Sequence, residues 1–341
     1  MTAEKMAEYL WGLPDQFAGI LQQGVSLPAK YRRQYHNIVI TGLGGSAIGG
    51  DIIRTYAMQK AQVPVIVNRD YDIPAFLNEN SLVLAVSYSG QTEETLSSYQ
   101  QARQQGADII AVTSGGKLAE MAQEHGYAVI KITGGLSPRA ATGYLLAPMA
   151  LIMDDLNIIK DAHLDLEETV EVLNALREKL HPAVPLPYNQ ARSIAQDLKN
   201  CLPVIWGSAS RSETAAMRWK TQINENSKCP VYFNTFPELD HNEIVGFEMP
   251  QDLLARMVVI ILRDPSDHAR VQKRMEISMR IIKDKVKKII EVQSSGESFL
   301  AKYYSLSYIG DYASYYLALE YGINPTPVKT IDYLKTELAR M

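Results

Sequence analysis

A doubly wound α/β fold on parallel sheets, built twice over by an internal duplication, is what this chain predicts. Three observations carry the expectation. Short branched apolar runs recur, each followed by a glycine- or hydroxyl-rich turn and then a helical segment. The second half repeats the order of the first at an offset of roughly 165 to 180 residues, as a duplicated domain does. With 341 residues, 46% of them hydrophobic and 21% charged, the chain can fill two ordinary cores.

Taken in order, residues from Thr2 to Phe17 read as an N-terminal helix. Asn37 to Ile40 form a first strand, which enters the glycine-rich turn Thr41 to Gly50. Gly42, Gly44 and Ala47 fit the dinucleotide fingerprint only loosely. Asp70, after the strand Val63 to Val67, can serve as a ribose ligand, so a nucleotide stays open at this point. Ser46 suits the wall of a phosphate site better than a turn hugging a pyrophosphate. Leu82 to Val86 makes the next strand, ahead of Ser87-Tyr88-Ser89-Gly90-Gln91-Thr92-Glu93-Glu94-Thr95. Ile109 to Thr113 leads to Ser114-Gly115-Gly116, and Ala128 to Ile132 to Gly134-Gly135 and Ser137-Pro138-Arg139. Five strands so separated make a doubly wound sheet, with ligands outside the strands' carboxyl ends. Pro138 opens a helical turn and holds Arg139 near that rim. The competing view of Arg139 is an ordinary surface arginine.

The stretch from Ser87 to Thr95 organises the chain. Ser87, Ser89 and Thr92 can converge with the backbone amides of a helix start, where the helix dipole is positive. A phosphate monoester suits such a place, because each oxygen takes several neutral donors. The plainer alternative is that Ser89 or Thr92 caps the helix.

A helix from Leu164 to Leu180 ends before the run Pro182 to Pro187, which reads as an interdomain connection. The expected division is a first domain over 1–160, a helical linker over 161–190 and a second domain over 191–341. In the second half, Pro203 to Ser210 echoes Ile38 to Ser46, and a long helix follows from Glu213 to Glu225. Val231 to Asn234, Val258 to Leu262 and Ile289 to Gly296 echo the strands that follow in the first half. The turn after Leu262, Arg263-Asp264-Pro265-Ser266-Asp267, is acidic and lacks the three hydroxyls. Phosphate, if bound, belongs to the first domain. The second offers Glu225 near a helix end and His241 beyond the next strand, a carboxylate and an imidazole able to act as base and proton shuttle. Each has an ordinary alternative as a solvated or packing residue. Asp240, His241 and Glu243 match no common metal-ligand spacing.

Composition excludes other classes. A net charge of −4 argues against a nucleic-acid surface, and Lys283 to Lys288 read as a solvated helix face. Met1 to Trp11 lacks the apolar core of a signal peptide, and the longest apolar stretch, Gly143 to Met153, is too short to span a bilayer. Cys201 and Cys229 form no CxxC and fit reduced thiols of a cytoplasmic protein. Neither metal nor cofactor is called for.

These segments resemble the sugar isomerase (SIS) domain family, and within it the bifunctional phosphoglucose/phosphomannose isomerases. The carriers are Gly42-Leu43-Gly44-Gly45-Ser46, the Ser87 to Thr95 stretch, Ser137-Pro138-Arg139, Asn224-Glu225-Asn226, Asp240-His241-Asn242-Glu243 and Pro327-Val328-Lys329. They span essentially the whole chain. The hydroxyl stretch marks only the superfamily; the later four segments are more specific. The resemblance implies two flavodoxin-like αβα domains, and a homodimer with shared active sites acting on a sugar 6-phosphate. It implies a phosphate held by the turns matching Gly45, Ser46, Ser87, Ser89 and Thr92. Glu225 would move a proton between C2 and C1 through a cis-enediolate, with Arg139 stabilising its charge. His241, supplied by the partner subunit, and Lys329 would open the sugar ring. Three rivals remain: an amino-sugar 6-phosphate isomerase or deaminase of the same fold, a non-catalytic phosphosugar sensor, and a dinucleotide-dependent dehydrogenase.

Overall fold

The computed structural model describes residues 3–338 and Arg340. Thr2, included in the expected N-terminal helix, lies outside them. Two compact units make up the chain, each with one parallel sheet. Helix α1 (Ala3–Trp11) stops at Gly12, and α2 (Leu13–Gln23) restarts beyond it. The single expected helix is thus two, one in each unit.

The first unit comprises Gly12–Asn174 and Gly296–Lys302. Its strands are β1 (Asn37–Thr41), β2 (Val65–Asn68), β3 (Ser81–Val86), β4 (Asp108–Thr113) and β5 (Ala128–Lys131), in the order β2-β1-β3-β4-β5. All pairs are parallel. Every residue of β1 and β3 is buried, whereas β2 and β5 are partly open. Covered central strands and weaker edges are why the central strands read as unbroken apolar runs rather than alternating ones. Helices α3 (Gly45–Lys60), α4 (Glu93–Gln104) and α5 (Gly116–Glu124) follow β1, β3 and β4, and α6 (Thr142–Asp155) packs on α2 and α3. The strand order reverses between β1 and β3, so the turns leaving these two strands diverge and open a crevice at their carboxyl ends.

Helix α7 (Ala162–Leu180) occupies much of the expected linker; it begins in the first unit and from Ala175 belongs to the second. The second unit comprises Met1–Trp11, Ala175–Ser295 and Tyr303–Met341. After α8 (Gln190–Leu198) come β6 (Leu202–Ser208), α9 (Glu213–Gln222), β7 (Tyr232–Phe236), the short α10 (Gln251–Leu254), β8 (Met257–Arg263), α11 (Ala269–Ile282) and β9 (Lys288–Gln293). The sheet order β7-β6-β8-β9 repeats four places of the first sheet. After β9 the chain continues into α12 (Phe299–Glu320), which is buried from 299 to 318 and belongs to the second unit from Tyr303 onward, and then α13 (Lys329–Leu338). A helix covered on every side has no solvated polar face, and the polar residues of α12, Asp311 and Ser314 among them, are buried with the rest. Lys283, Lys285 and Lys287 stand in the turn between α11 and β9 and Lys288 opens β9, so the run is not a helix face.

Helix α1 joins this second unit through long-range contacts of its own residues. Its Met6 and Leu10 are buried, the Leu10 carbonyl accepts Tyr308 Oη at 2.6 Å, and the Arg177 guanidinium lies 4.7 Å over the Trp11 ring.

Candidate active site

At the end of β3 the chain turns sharply through Ser87–Thr92 before α4. Gly90 takes φ +67°, and a Cβ there would lie 1.9 Å from the Gly115 carbonyl oxygen, so only glycine lets these two turns meet. Ser87 Oγ and Thr92 Oγ1 are 2.8 Å apart, and Ser87 Oγ also accepts the Gly90 amide at 3.1 Å. Ser89 Oγ accepts Gln91 N at 3.2 Å and its side chain is exposed. Thr92 occupies the N-cap position of α4 yet makes no capping bond. The hydroxyls therefore bond one another and the turn instead of capping the helix, and the first amides of α4 keep their direction toward the crevice.

The turn after β1 forms the second wall. Ser46 is buried in the first turn of α3. Gly45 approaches the Pro138 carbonyl so closely that a Cβ would sit 2.7 Å from it. That contact ties the Ser46 turn to Pro138–Ala140, a 3₁₀ turn preceding α6. Arg139 on this turn is 7% exposed, not a surface arginine, and its Nη1 donates to Ser137 Oγ at 3.1 Å. Asp70 is exposed, with Oδ1 accepting the Tyr71 amide at 2.7 Å.

The corresponding crevice of the second unit is filled by its own acid. Ser208 Oγ, after β6, donates to Asp267 Oδ1 at 2.5 Å, and Asp267 is buried beyond β8. Burial holds the Asp267 carboxyl above its ordinary range, partly offset by the Ser208 hydroxyl. An anion finds hydroxyls in the first unit and a carboxylate in the second.

Glu225 stands where α9 widens into a π-helical turn, Ile223–Ser227, which ends at Lys228 with φ +56°. Such turns frequently occur at functional sites. Lys228 Nζ donates to the Glu225 carbonyl and, at 3.2 Å, to the Pro325 carbonyl. This joins the turn to the segment leading into α13, whose first residue is Lys329. Glu225 and Lys329, both expected site residues, line one cavity of about 720 Å³ with Asn224, Asn324 and Val328. His241 is exposed at the end of the short turn Glu238–His241. Its acidic neighbours are engaged elsewhere. Asp240 accepts Arg274 Nη1 at 3.0 Å and Ser278 Oγ at 2.8 Å, and Glu243 accepts Trp206 Nε1 at 2.7 Å and Asn234 Nδ2 at 2.5 Å.

Within the first unit, then, Ser46, Ser87, Ser89, Thr92 and Arg139 are carried at the carboxyl side of its strands. Glu225, His241 and Lys329 are carried by the second unit, the first and last on one cavity. Residues that no motif points to also lie here, notably the buried Arg218, Gln222 and Asp311 behind Glu225. No sequence signal singles them out, since α9 also carries Glu213 and Lys220, and α12 also carries Lys302 and Glu320.

Two family models match the chain: the SIS domain over residues 32–153, and the bacterial phospho-glucose isomerase C-terminal SIS domain over 188–338. The chain is 47% identical over 337 residues to a bifunctional phosphoglucose/phosphomannose isomerase of Caldicellulosiruptor bescii, covering 98% of this chain and 99% of that one. It is 35% identical over 314 residues to the protein of that name from Aquifex aeolicus, covering 92% and 93%. The fold matches the crystal structure of tagatose-6-phosphate ketose/aldose isomerase from Escherichia coli with a TM-score of 0.70 at 14% identity, over 96% of this chain and 98% of that one. Near-full-length identity at this level, with an SIS model on each half, makes the chain a member of the SIS-domain bifunctional phosphoglucose/phosphomannose isomerases.

Proposed function

We propose that the protein is an aldose–ketose isomerase that interconverts glucose 6-phosphate and mannose 6-phosphate with fructose 6-phosphate. The substrate phosphate sits on Gly45, Ser46, Ser87, Ser89 and Thr92. The Glu225 carboxylate takes the proton from C2 of the open-chain aldose and returns it to C1, while the O2 proton passes to O1. The intermediate is a cis-enediolate, and the Arg139 guanidinium, charged at any working pH, balances its oxygen. His241, contributed by a second copy of the chain in a homodimer, and Lys329 exchange protons with O1 and O5 to open the ring. Rotation about C2–C3 in the open chain lets one base reach either epimer. The observation that carries this reading is the cavity that Glu225 shares with Lys329, a base and a proton donor on facing segments.

The test is conversion of each aldose 6-phosphate to fructose 6-phosphate, followed by NMR with no nucleotide or metal added. Failure with both sugars overturns the reading. A requirement for a nicotinamide cofactor points instead to a dehydrogenase, and ammonia release from an amino-sugar phosphate to a deaminase.

Two further outcomes follow. Ser89→Ala and Thr92→Ala are each expected to raise the KM for the 6-phosphosugar about ten- to a hundredfold, since a hydrogen bond to a charged group is worth about 1.5–3 kcal/mol. Parental KM values in both would misplace the phosphate. Prolonged chelation should leave the rate unchanged, because the Asp240 and Glu243 carboxylates are already held by protein donors. Loss of activity, restored by zinc or manganese, contradicts this.

A further inference from the structure

Helix α9 and its π turn are fastened to α12 by a polar seam inside an otherwise apolar core. Arg218 and Asp311 are 2% and 1% exposed. The guanidinium reaches one carboxylate oxygen twice, Nη2 at 2.8 Å and Nε at 3.3 Å, and the other oxygen accepts Gln222 Nε2 at 3.0 Å. Farther along, Asn226 Nδ2 donates to Ser314 Oγ at 2.9 Å and Ser227 Oγ donates to the Ser314 carbonyl at 2.7 Å. Ser314 Oγ in turn donates to the Asp311 carbonyl at 2.7 Å, and Trp219 Nε1 donates to the Leu306 carbonyl at 2.9 Å. Asp311 and Ser314 thus hold both the regular helix and the widened turn that carries Glu225.

Stability alone does not explain such a pair. Removing two charges from water costs about what their attraction returns, and apolar residues of equal bulk serve as well. Burial works against the Arg218 charge, and Asp311 together with Tyr303 and Tyr304 more than offsets it, which raises the guanidinium pKa. What the seam supplies is register. A one-residue slip of a helix turns each side chain by about 100° and moves it about 1.5 Å along the axis.

We propose that Arg218, Asp311 and Gln222 are positioning residues for Glu225: they set the register of α9 on α12, so that the π turn delivers the carboxylate to a fixed point in the cavity. This rests on Glu225 being the proton-transfer base.

The double variant Arg218→Met/Asp311→Leu removes both charges and keeps their bulk. Its kcat for glucose 6-phosphate is expected to fall about a hundredfold, the cost of a displacement near 1 Å, with KM within about twofold and cooperative unfolding retained. Gln222→Met leaves the ion pair and removes one anchor; about a tenfold fall in kcat at unchanged KM is expected, on the same ground that small displacements are costly. Arg218→Lys, which keeps the charge but not the fork, should recover part of the rate lost in the double variant. A pair without a positioning role would leave kcat of the folded enzyme alone, whatever the change in its unfolding midpoint. Parental kcat in both the double variant and Gln222→Met overturns the inference, and if the double variant does not fold, Gln222→Met decides it. Glu225→Gln in the same assay separates the two layers. If it keeps parental kcat, the base assignment falls and this inference with it. If it is inactive while the seam variants turn over normally, the base stands and the positioning role is overturned.

Discussion

Glu225→Gln is expected to slow turnover of glucose 6-phosphate and mannose 6-phosphate together, by about 10²- to 10⁴-fold, the usual contribution of a positioned base. The substitution keeps the size and shape of the side chain and one acceptor oxygen while removing its charge and basicity, so substrate binding should survive. Exchange of the C2 proton with solvent deuterium should disappear at the same time. His241→Ala should behave differently. If His241 acts on the closed ring, as proposed, its loss should slow turnover of the cyclic sugar and spare much of the activity on the small open-chain fraction. Deuterium incorporation into fructose 6-phosphate, followed by NMR in both variants, separates the two roles. Exchange that persists in Glu225→Gln and vanishes in His241→Ala would make the histidine the enolising base.

Gly90→Ala is expected to damage both stability and phosphate binding. The residue holds φ +67°, and the new Cβ would meet the Gly115 oxygen at 1.9 Å and Thr113 Oγ1 at 2.9 Å. Neither neighbour is free to yield, because Thr113 Oγ1 donates to that same Gly115 oxygen at 2.9 Å and the Leu118 amide donates to the Gly90 carbonyl at 3.0 Å. A left-handed non-glycine residue costs about 1–2 kcal/mol, and overpacking about 1–3 kcal/mol. Together these predict a loss of about 2–5 kcal/mol in denaturant titration. Since Ser89 directly precedes the displaced residue and Ser87 Oγ accepts its amide at 3.1 Å, the KM for the 6-phosphosugar should rise more than in Ser89→Ala. A variant with parental unfolding midpoint and parental KM would mean that the turn does not depend on glycine.

Much of the fold was legible because strand, turn and helix signals are local. β1 and β6 begin at Asn37 and Leu202, β4 and β9 at Asp108 and Lys288, and the repeat read from the sequence follows the same pairing. The hydroxyl turn was legible for the same reason: three hydroxyls and a glycine after a buried strand leave few conformations. Three features were not. Nothing in Ile223-Asn224-Glu225-Asn226-Ser227 distinguishes a π turn from a further turn of α-helix, and the side-chain bonds that tie the widened turn run to α12 some ninety residues away. Helix α12 has no amphipathic period, since it is covered on every side, and so escapes a reading based on periodicity. The partners of Arg218 and of Leu10 are likewise long-range choices that no spacing announces.

The attachment of α1 to the second unit bears on how the chain is made. Leu10 and its partner Tyr308 are 298 residues apart. At about 5–20 residues per second, ribosomal synthesis puts some 15–60 s between them. Through that interval the first sheet can be completed and fold, while Met6 and Leu10 remain without their final cover. The helix translated ahead of either sheet is therefore among the last to dock. A fragment starting at Ala175 emerges without it, leaving Tyr308 and its apolar surroundings open to aggregation until α1 is supplied as a separate peptide.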